Sequence, residues 1–231
     1  MNSLAYNPII IIGCNHSGTR ALVSILEKLG SFSGPIDNPW KEHQDFLQFH
    51  KTLMQIEFGG DFWYKNDLIE SYQDNFKYKV LAQEFARLVE FKYPQILNQY
   101  WHWKCPRSSY FLPTWCAVYP KALFIHIIRD GRDVAVSLCQ SNEQTIIADI
   151  EYAFKLWNIH ISKILSCLPA KTITIKYEEL HTSVNLIAHQ LLIEDESKIN
   201  EAQNLIKIKV YQKQFTCHLQ SQWLKELGYL T

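Results

Sequence analysis

Residues 8–30, PIIIIGCNHSGTRALVSILEKLG, constrain the fold more than any other stretch of this chain. Four consecutive β-branched residues, Ile9 to Ile12, leave no polar face. Such a run suits a strand buried on both sides in a parallel sheet. The chain then passes Gly13 and a polar loop, Cys14-Asn15-His16-Ser17-Gly18-Thr19. Beyond it Ala21, Leu22, Ile25, Leu26 and Leu29 recur at helical spacing until Gly30 stops the helix. A strand, a Gly-flanked loop and a helix start, in that order, aim backbone N–H groups at the positive end of a helix dipole. That arrangement binds phosphate.

Gly13 and Gly18 stand as in the Gly-x-x-x-x-Gly frame of a nucleotide triphosphatase loop. The next two residues are Thr19 and Arg20, where that chemistry needs Lys and then Ser or Thr. The lysine for the β/γ-phosphates is missing, and the hydroxyl for Mg²⁺ comes one position early. The frame says phosphate without saying ATP, and a tight strand–helix turn with no ligand is the competing reading.

With 231 residues, 47% of them apolar and 20% charged, the chain reads as one globular domain, 1–231. Lys+Arg and Asp+Glu both number 23, so no global field recruits nucleic acid or a membrane surface. An anionic ligand must be held by a local cluster. The start, MNSLAYNP, has no basic leader region, and Ile9–Ile12 is too short to span a membrane. The six cysteines, at 14, 105, 116, 139, 167 and 217, have no paired C-x-x-C spacing. They point to a reduced, cytoplasmic setting with no metal or disulfide framework.

Further along, a helix is expected from about Glu42 to Gln55. Residues 56–78 read as a loop-rich excursion suited to a lid or substrate wall. A helical pattern over 79–99 should bend or end at Pro94. A buried strand is expected at 101–105, a strongly apolar one at 122–128, and one alternating polar and β-branched residues at 171–176. Helices are expected over 108–118, after Arg129-Asp130-Gly131-Arg132-Asp133, over 145–167, and through 183–231 with a polar boundary near Glu194–Lys198. Strands alternating with helices imply an α/β, three-layer α/β/α architecture with a central, mostly parallel sheet. Ligands in such folds sit beyond the carboxyl ends of the strands. The loops after Ile12, Cys105, Ile128 and Lys176 should therefore meet at one site.

These stretches resemble the sulfotransferase family that uses 3′-phosphoadenosine 5′-phosphosulfate (PAPS). IIIIGCNHSGTRALVSIL is similar to its loop for the 5′-phosphosulfate. LFIHIIRDGRDVAVSL is similar to its 3′-phosphate segment, with Arg129 and Ser137 eight residues apart. WHWKCPRSSYFLP and TITIKYEEL are similar to supporting stretches of the family. The resemblance implies a P-loop-like sulfotransferase fold and a donor site from Asn15, His16, Ser17, Gly18, Thr19, Arg20, Arg129 and Ser137. A guanidinium at a strand end grips a phosphate bidentately, and a serine on the following helix adds a neutral donor. Taken alone, residues 129–133 also read as a solvated charge run. Asp130 after an apolar strand also fits a Mg²⁺ ligand, which keeps a kinase reading open.

The family implies in-line transfer of a sulfuryl group to a hydroxyl or amine of an acceptor (a small molecule, glycan or peptide), with no metal. Many members carry Lys or Arg at the position of His16, so catalysis here falls to an imidazole that neighbouring phosphates favour in its charged form. Lys104 is a second cation for the departing nucleotide. Glu42, His43, Asp45, Glu84 and His102 are candidates for the general base, with His43 the leading one. The Arg-Lys-Gly element that closes over the 3′-phosphate in some members is absent, and Lys207, Lys209 and Lys213 are its candidate substitutes. A catalytically silent nucleotide-binding protein of the same fold is the other alternative.

Overall fold

The structure, a computed structural model, describes residues 7–141, 147–211, 216 and 218–230. The amino-terminal residues 1–6, the expected helix start at 145–146, Lys213 and Cys217 lie outside the described residues. Four parallel strands form one sheet in the order β2-β1-β3-β4: β1 (Ile9–Ile12), β2 (His102–Lys104), β3 (Leu123–Ile128) and β4 (Thr172–Lys176). Ile9 to Ile12 pair with Leu123 to His126, and Phe124 to Ile128 pair with Thr172 to Lys176.

Both faces of this sheet are covered, and for that reason the central strands are continuously apolar. On one face Ile9 and Ile11 of β1 join Ile125 and Ile127 of β3 in a core with α1 (Thr19–Lys28), α8 (Leu180–Gln190) and α9 (Glu196–Asn204). Ile10 and Ile12 point the other way, into a larger core. That core takes in α2 (Gln44–Phe58), α4 (Lys79–Lys92), α5 (Leu112–Val118), α6 (Gly131–Cys139) and α7 (Ile150–Ser166). Aromatic rings dominate it: Phe46 stacks on Trp103 at 4.0 Å and Phe49 on Phe85 at 4.2 Å between centroids. Burying each such ring contributes about 1.5–3 kcal/mol.

The four expected strands are present to within two residues at each end. Pro94 does end α4, and a short 3-10 turn, Pro94–Leu97, follows. The stretch 56–78 is less irregular than its composition suggests, because α2 runs to Phe58 and α3 occupies Asn66–Ser71. Its polar groups brace the interior. Asp61 takes both arms of the Arg107 guanidinium at 2.7 and 2.8 Å, and the carbonyl of Trp63 accepts from Tyr110. The short helix α10 (Gln222–Glu226) packs near α7.

Five histidines, at 43, 50, 102, 126 and 160, are almost wholly inaccessible to water. Burial holds their imidazoles far below the ordinary 6.5, at about 4 for His43 and His126 and about 3 for His50, His102 and His160. In the unfolded chain they take protons near pH 6.5, while the folded ones stay neutral until pH 4 or below. The unfolded state thus binds more protons in that window, and stability falls as pH falls through it. Urea unfolding between pH 7 and 5.5 should show a loss on the order of 1 kcal/mol per imidazole, above the range where carboxylates titrate. A midpoint that stays constant over that range contradicts this account.

Candidate active site

β1 and β3 lie side by side at the centre of the sheet, but their exits part. The chain from β1 enters α1 on one face, and the chain from β3 enters α6 on the other. Diverging exits from adjacent parallel strands leave a crevice beyond their carboxyl ends. A cleft of about 550 Å³ opens there.

Its floor is the loop after β1. Gly13 has φ +154°, and a Cβ on it would come within 2.6 Å of the Ile127 carbonyl oxygen. Gly18 has φ +100°, and a Cβ there would strike the ring of Tyr177. These two contacts are why the loop requires glycine at both ends. No side chain caps α1 and its first turn has no acidic residue, so the positive end of the helix faces the cleft without a built-in anion.

Asn15, His16, Gly18, Thr19 and Arg20 all line the cleft. Ser17 does not, since it is buried with its hydroxyl donated to the Cys14 carbonyl. His16 adopts φ +65°, and its Nδ1 lies 2.9 Å from Ser137 Oγ on α6. Arg20 is exposed and donates to the Pro39 carbonyl at 3.1 Å.

Arg129 leaves the end of β3 and is only 4% exposed. Its Nη1 donates to the His16 carbonyl at 3.0 Å and its Nη2 to the Lys209 carbonyl at 2.5 Å. Asp133 lies 3.6 Å away. The guanidinium stands over the rings of Tyr177, at 4.5 Å, and Tyr211, at 5.5 Å. Its Nε is buried with no hydrogen-bond partner among the described residues. A buried donor left unpaired carries a free-energy cost. Tyr211 and Lys209 line the same wall. Burial would raise the Tyr211 hydroxyl's pKa, but hydrogen bonds from Lys209 and Ser137 and the charges of Lys209 and Arg129 bring it below its usual value.

Pro39, Trp40, Glu42, Lys104 and Pro106 also line the cleft, joined to the first loop where Arg20 donates to the Pro39 carbonyl. Lys104 Nζ, 5% exposed, donates to the Trp40 carbonyl at 3.0 Å and to Glu42 at 3.1 Å. Burial pulls its pKa down, opposed by the Glu42 carboxylate. The second Glu42 oxygen lies 3.5 Å from Arg107, so this carboxylate is bracketed by two cations.

The other residues considered as bases lie elsewhere. His43 turns inward against Phe46 and Tyr93, edge-on at 5.0 and 5.6 Å. Asp45 is paired with Lys92 and Tyr93, Glu84 with Arg87, and His102 with Ser31. Glu42 is the one of the five that lines the cleft. Asp130 holds the Arg132 guanidinium at 2.7 and 3.0 Å and caps α6, so it does not face the cleft as a Mg²⁺ ligand would. No residue of 56–78 lines the cleft either. Lys209 reaches it, whereas Lys207 contributes a carbonyl to Tyr177. Tyr177, Tyr211 and Trp40 are wall residues that sequence reasoning did not single out. Tyr177 had a signal in its place at the end of β4; Tyr211 follows the alternating run Ile206-Lys207-Ile208-Lys209-Val210, in a segment expected to be helical that forms neither helix nor strand.

An all-parallel sheet with an anion-suited crevice at its central divergence defines a doubly wound α/β protein that holds its ligand beyond the strand ends. A model of the sulfotransferase family matches residues 8–192, and the chain belongs to that family. Solved structures agree on the fold. The sulfotransferase domain of the Synechococcus PCC 7002 olefin synthase aligns with TM-score 0.53 at 15% identity, covering 97% of this chain and 85% of that one. Sulfotransferase STF1 of Mycobacterium tuberculosis H37Rv aligns with TM-score 0.53 at 16% identity over 87% and 72%. The sulfotransferase domain of the curacin biosynthetic pathway aligns with TM-score 0.52 at 17% identity over 90% and 76%. No curated protein matches the chain by sequence. No described helix is long and apolar enough to cross a membrane.

Gly18→Ala should destabilise the chain by on the order of 1–3 kcal/mol, from the left-handed backbone and the clash with Tyr177. Thermal unfolding checks this, and an unchanged midpoint would show that the loop is not held against Tyr177.

Proposed function

We propose that this chain transfers a sulfuryl group from PAPS to a hydroxyl or amine of an acceptor, in line and without a covalent enzyme intermediate. The observation that carries the reading is the meeting of His16, from the first loop, with Ser137 and Arg129, from the end of β3 and α6, on one cleft. Two anion-suited sets adjoining on one cleft fit a nucleotide phosphorylated at both its 5′ and 3′ positions. In this reading the loop amides of residues 16–20 and Thr19 hold the 5′-phosphosulfate. Arg129, whose Nε has no partner among the described residues, grips the 3′-phosphate with Ser137. Five free cysteines among the described residues fit a cytoplasmic setting.

In the transfer, the acceptor oxygen or nitrogen bonds to sulfur as the bond from sulfur to the bridging oxygen breaks. The nucleotide leaves with that electron pair, and the acceptor's proton passes to a base. The protein's part is to position the two reactants and neutralise the charge that develops on the leaving oxygen. His16 faces that task directly, with its ring oriented by Ser137; Lys104 is a second cation on the same cleft. Glu42 is the base this geometry favours, because its carboxylate lines the cleft beside Lys104. The acceptor, a small molecule, glycan or peptide, enters past Trp40 and Pro106.

Calorimetry should show 3′-phosphoadenosine 5′-phosphate binding without metal. Arg129→Ala should weaken it by about tenfold or more while leaving the analogue without a 3′-phosphate within about twofold. Binding of Mg²⁺-ATP alone would replace this reading with a kinase. Glu42→Gln should lower kcat by roughly 10²-fold with donor affinity retained, measured with labelled donor on an acceptor panel. A donor that binds but turns over only after His16→Lys would make the chain a silent binder.

A further inference from the structure

The proposed reaction leaves one helix face without a task. In α4 the positions Ala82, Ala86 and Val89 are buried, while Val80, Leu81, Leu88 and Phe91 face solvent, Val80 to 71% and Phe91 to 87%. At helical spacing these four fall with Glu84 and Arg87 within one stripe about 120° wide. The apolar surface is extended by exposed Phe76 and Leu97, just beyond the two ends of the helix. None of the α4 residues lines the cleft.

We propose that a second copy of this chain docks on this face, with the two α4 helices antiparallel about a two-fold axis. The order of side chains along the stripe argues for it. Val80, Glu84, Arg87 and Phe91 read apolar, acidic, basic, apolar. Reversed, the same stripe reads apolar, basic, acidic, apolar. An antiparallel copy therefore sets Phe91 over Val80 and Arg87 over Glu84, and symmetry repeats both contacts on the other side of the axis. A parallel copy would set like charge on like. Glu84 and Arg87 already pair within one helix with their side chains 58% and 73% exposed, so the doubled set forms a four-charge ring at the axis.

A membrane surface is a poorer occupant. An interfacial helix carries Lys and Arg around its apolar face, whereas this stripe has both signs at its centre and the chain's formal net charge is zero. The helix has 14 residues, about 21 Å of length, and a single helix pair of that size buries less than the ~800 Å² per partner of a standard interface. The dimer is accordingly one that dissociates on dilution, and each copy keeps its own open cleft.

Sedimentation equilibrium of the full chain over a wide dilution series tests this. The expected result is a reversible step from twice the monomer mass to the monomer mass. Glu84→Arg should weaken dimerisation by about tenfold or more, and Glu84→Arg with Arg87→Glu should restore it, because the reversed pair is again complementary across the axis. Phe91→Glu should give monomer with unchanged circular dichroism and donor affinity, which separates loss of the interface from loss of the fold. A monomer at every concentration overturns the proposal, as does a dimer indifferent to the charge reversals. Co-sedimentation of monomer with anionic vesicles, abolished by Phe91→Glu, would assign the face to a membrane and overturn it equally.

Discussion

The carbonyl of Ile127 stands where a side chain on residue 13 would have to be. That single approach draws the first loop tight against β3, and much of the molecule's working surface follows from it. Once the loop lies there, the His16 carbonyl is within reach of the Arg129 guanidinium and the His16 ring within reach of Ser137. Two segments more than a hundred residues apart in the chain thereby share one wall. The sheet makes the approach possible by placing β1 and β3 side by side, and the covered faces make it rigid.

A chain with equal numbers of cations and anions still concentrates charge where it is needed. Glu42, Lys104, Arg107 and Asp61 form a linked set that is mostly buried, and Arg132 with Asp130 forms a second. Removing one partner from a buried pair costs about 3–5 kcal/mol, far more than a surface pair is worth. Such sets also fix geometry. Glu42 cannot swing away from the cleft while both cations hold it, and Lys104 is kept from solvent by the same bonds. Arg129 differs in that its hydrogen bonds go to backbone carbonyls and its flanks to aromatic faces, with the Asp133 carboxylate 3.6 Å away.

How much of this was legible in the residues varies by element. Ile9–Ile12 and Leu123–Ile128 announce buried strands because a parallel sheet covered on both sides tolerates only apolar runs. The Gly13–Gly18 frame and the spacing of Arg129 and Ser137 announce the two halves of that wall, because local geometry ties each set to one turn or one helix start. His43 and Glu42 show the limit. They are neighbours in sequence with similar polarity, and only the entry angle of α2 decides that Glu42 faces the cleft while His43 turns into the aromatic core. The same holds for 56–78, where α3 and the grip of Asp61 on Arg107 depend on tertiary contacts that composition does not carry. Ile206-Lys207-Ile208-Lys209-Val210 alternates as a strand would, yet the chain forms no strand there, so the place of Lys209 and Tyr211 beside Arg129 comes from tertiary contacts rather than from the pattern.

Tyr177 links these parts. The Cδ2–Cε2 edge of its ring fills the space above Gly18, the guanidinium of Arg129 lies over the ring, and its hydroxyl meets the backbone at Lys207 and Lys209. Positions 18 and 177 are therefore epistatic. A smaller residue at 177 would remove the steric bar to a side chain at 18, though not the backbone strain, and would at the same time loosen the tail from Arg129. The cost of a side chain in the first loop is thus set partly from the end of the strand at the sheet's edge, being largest while Tyr177 stands there and reduced to the backbone strain without it.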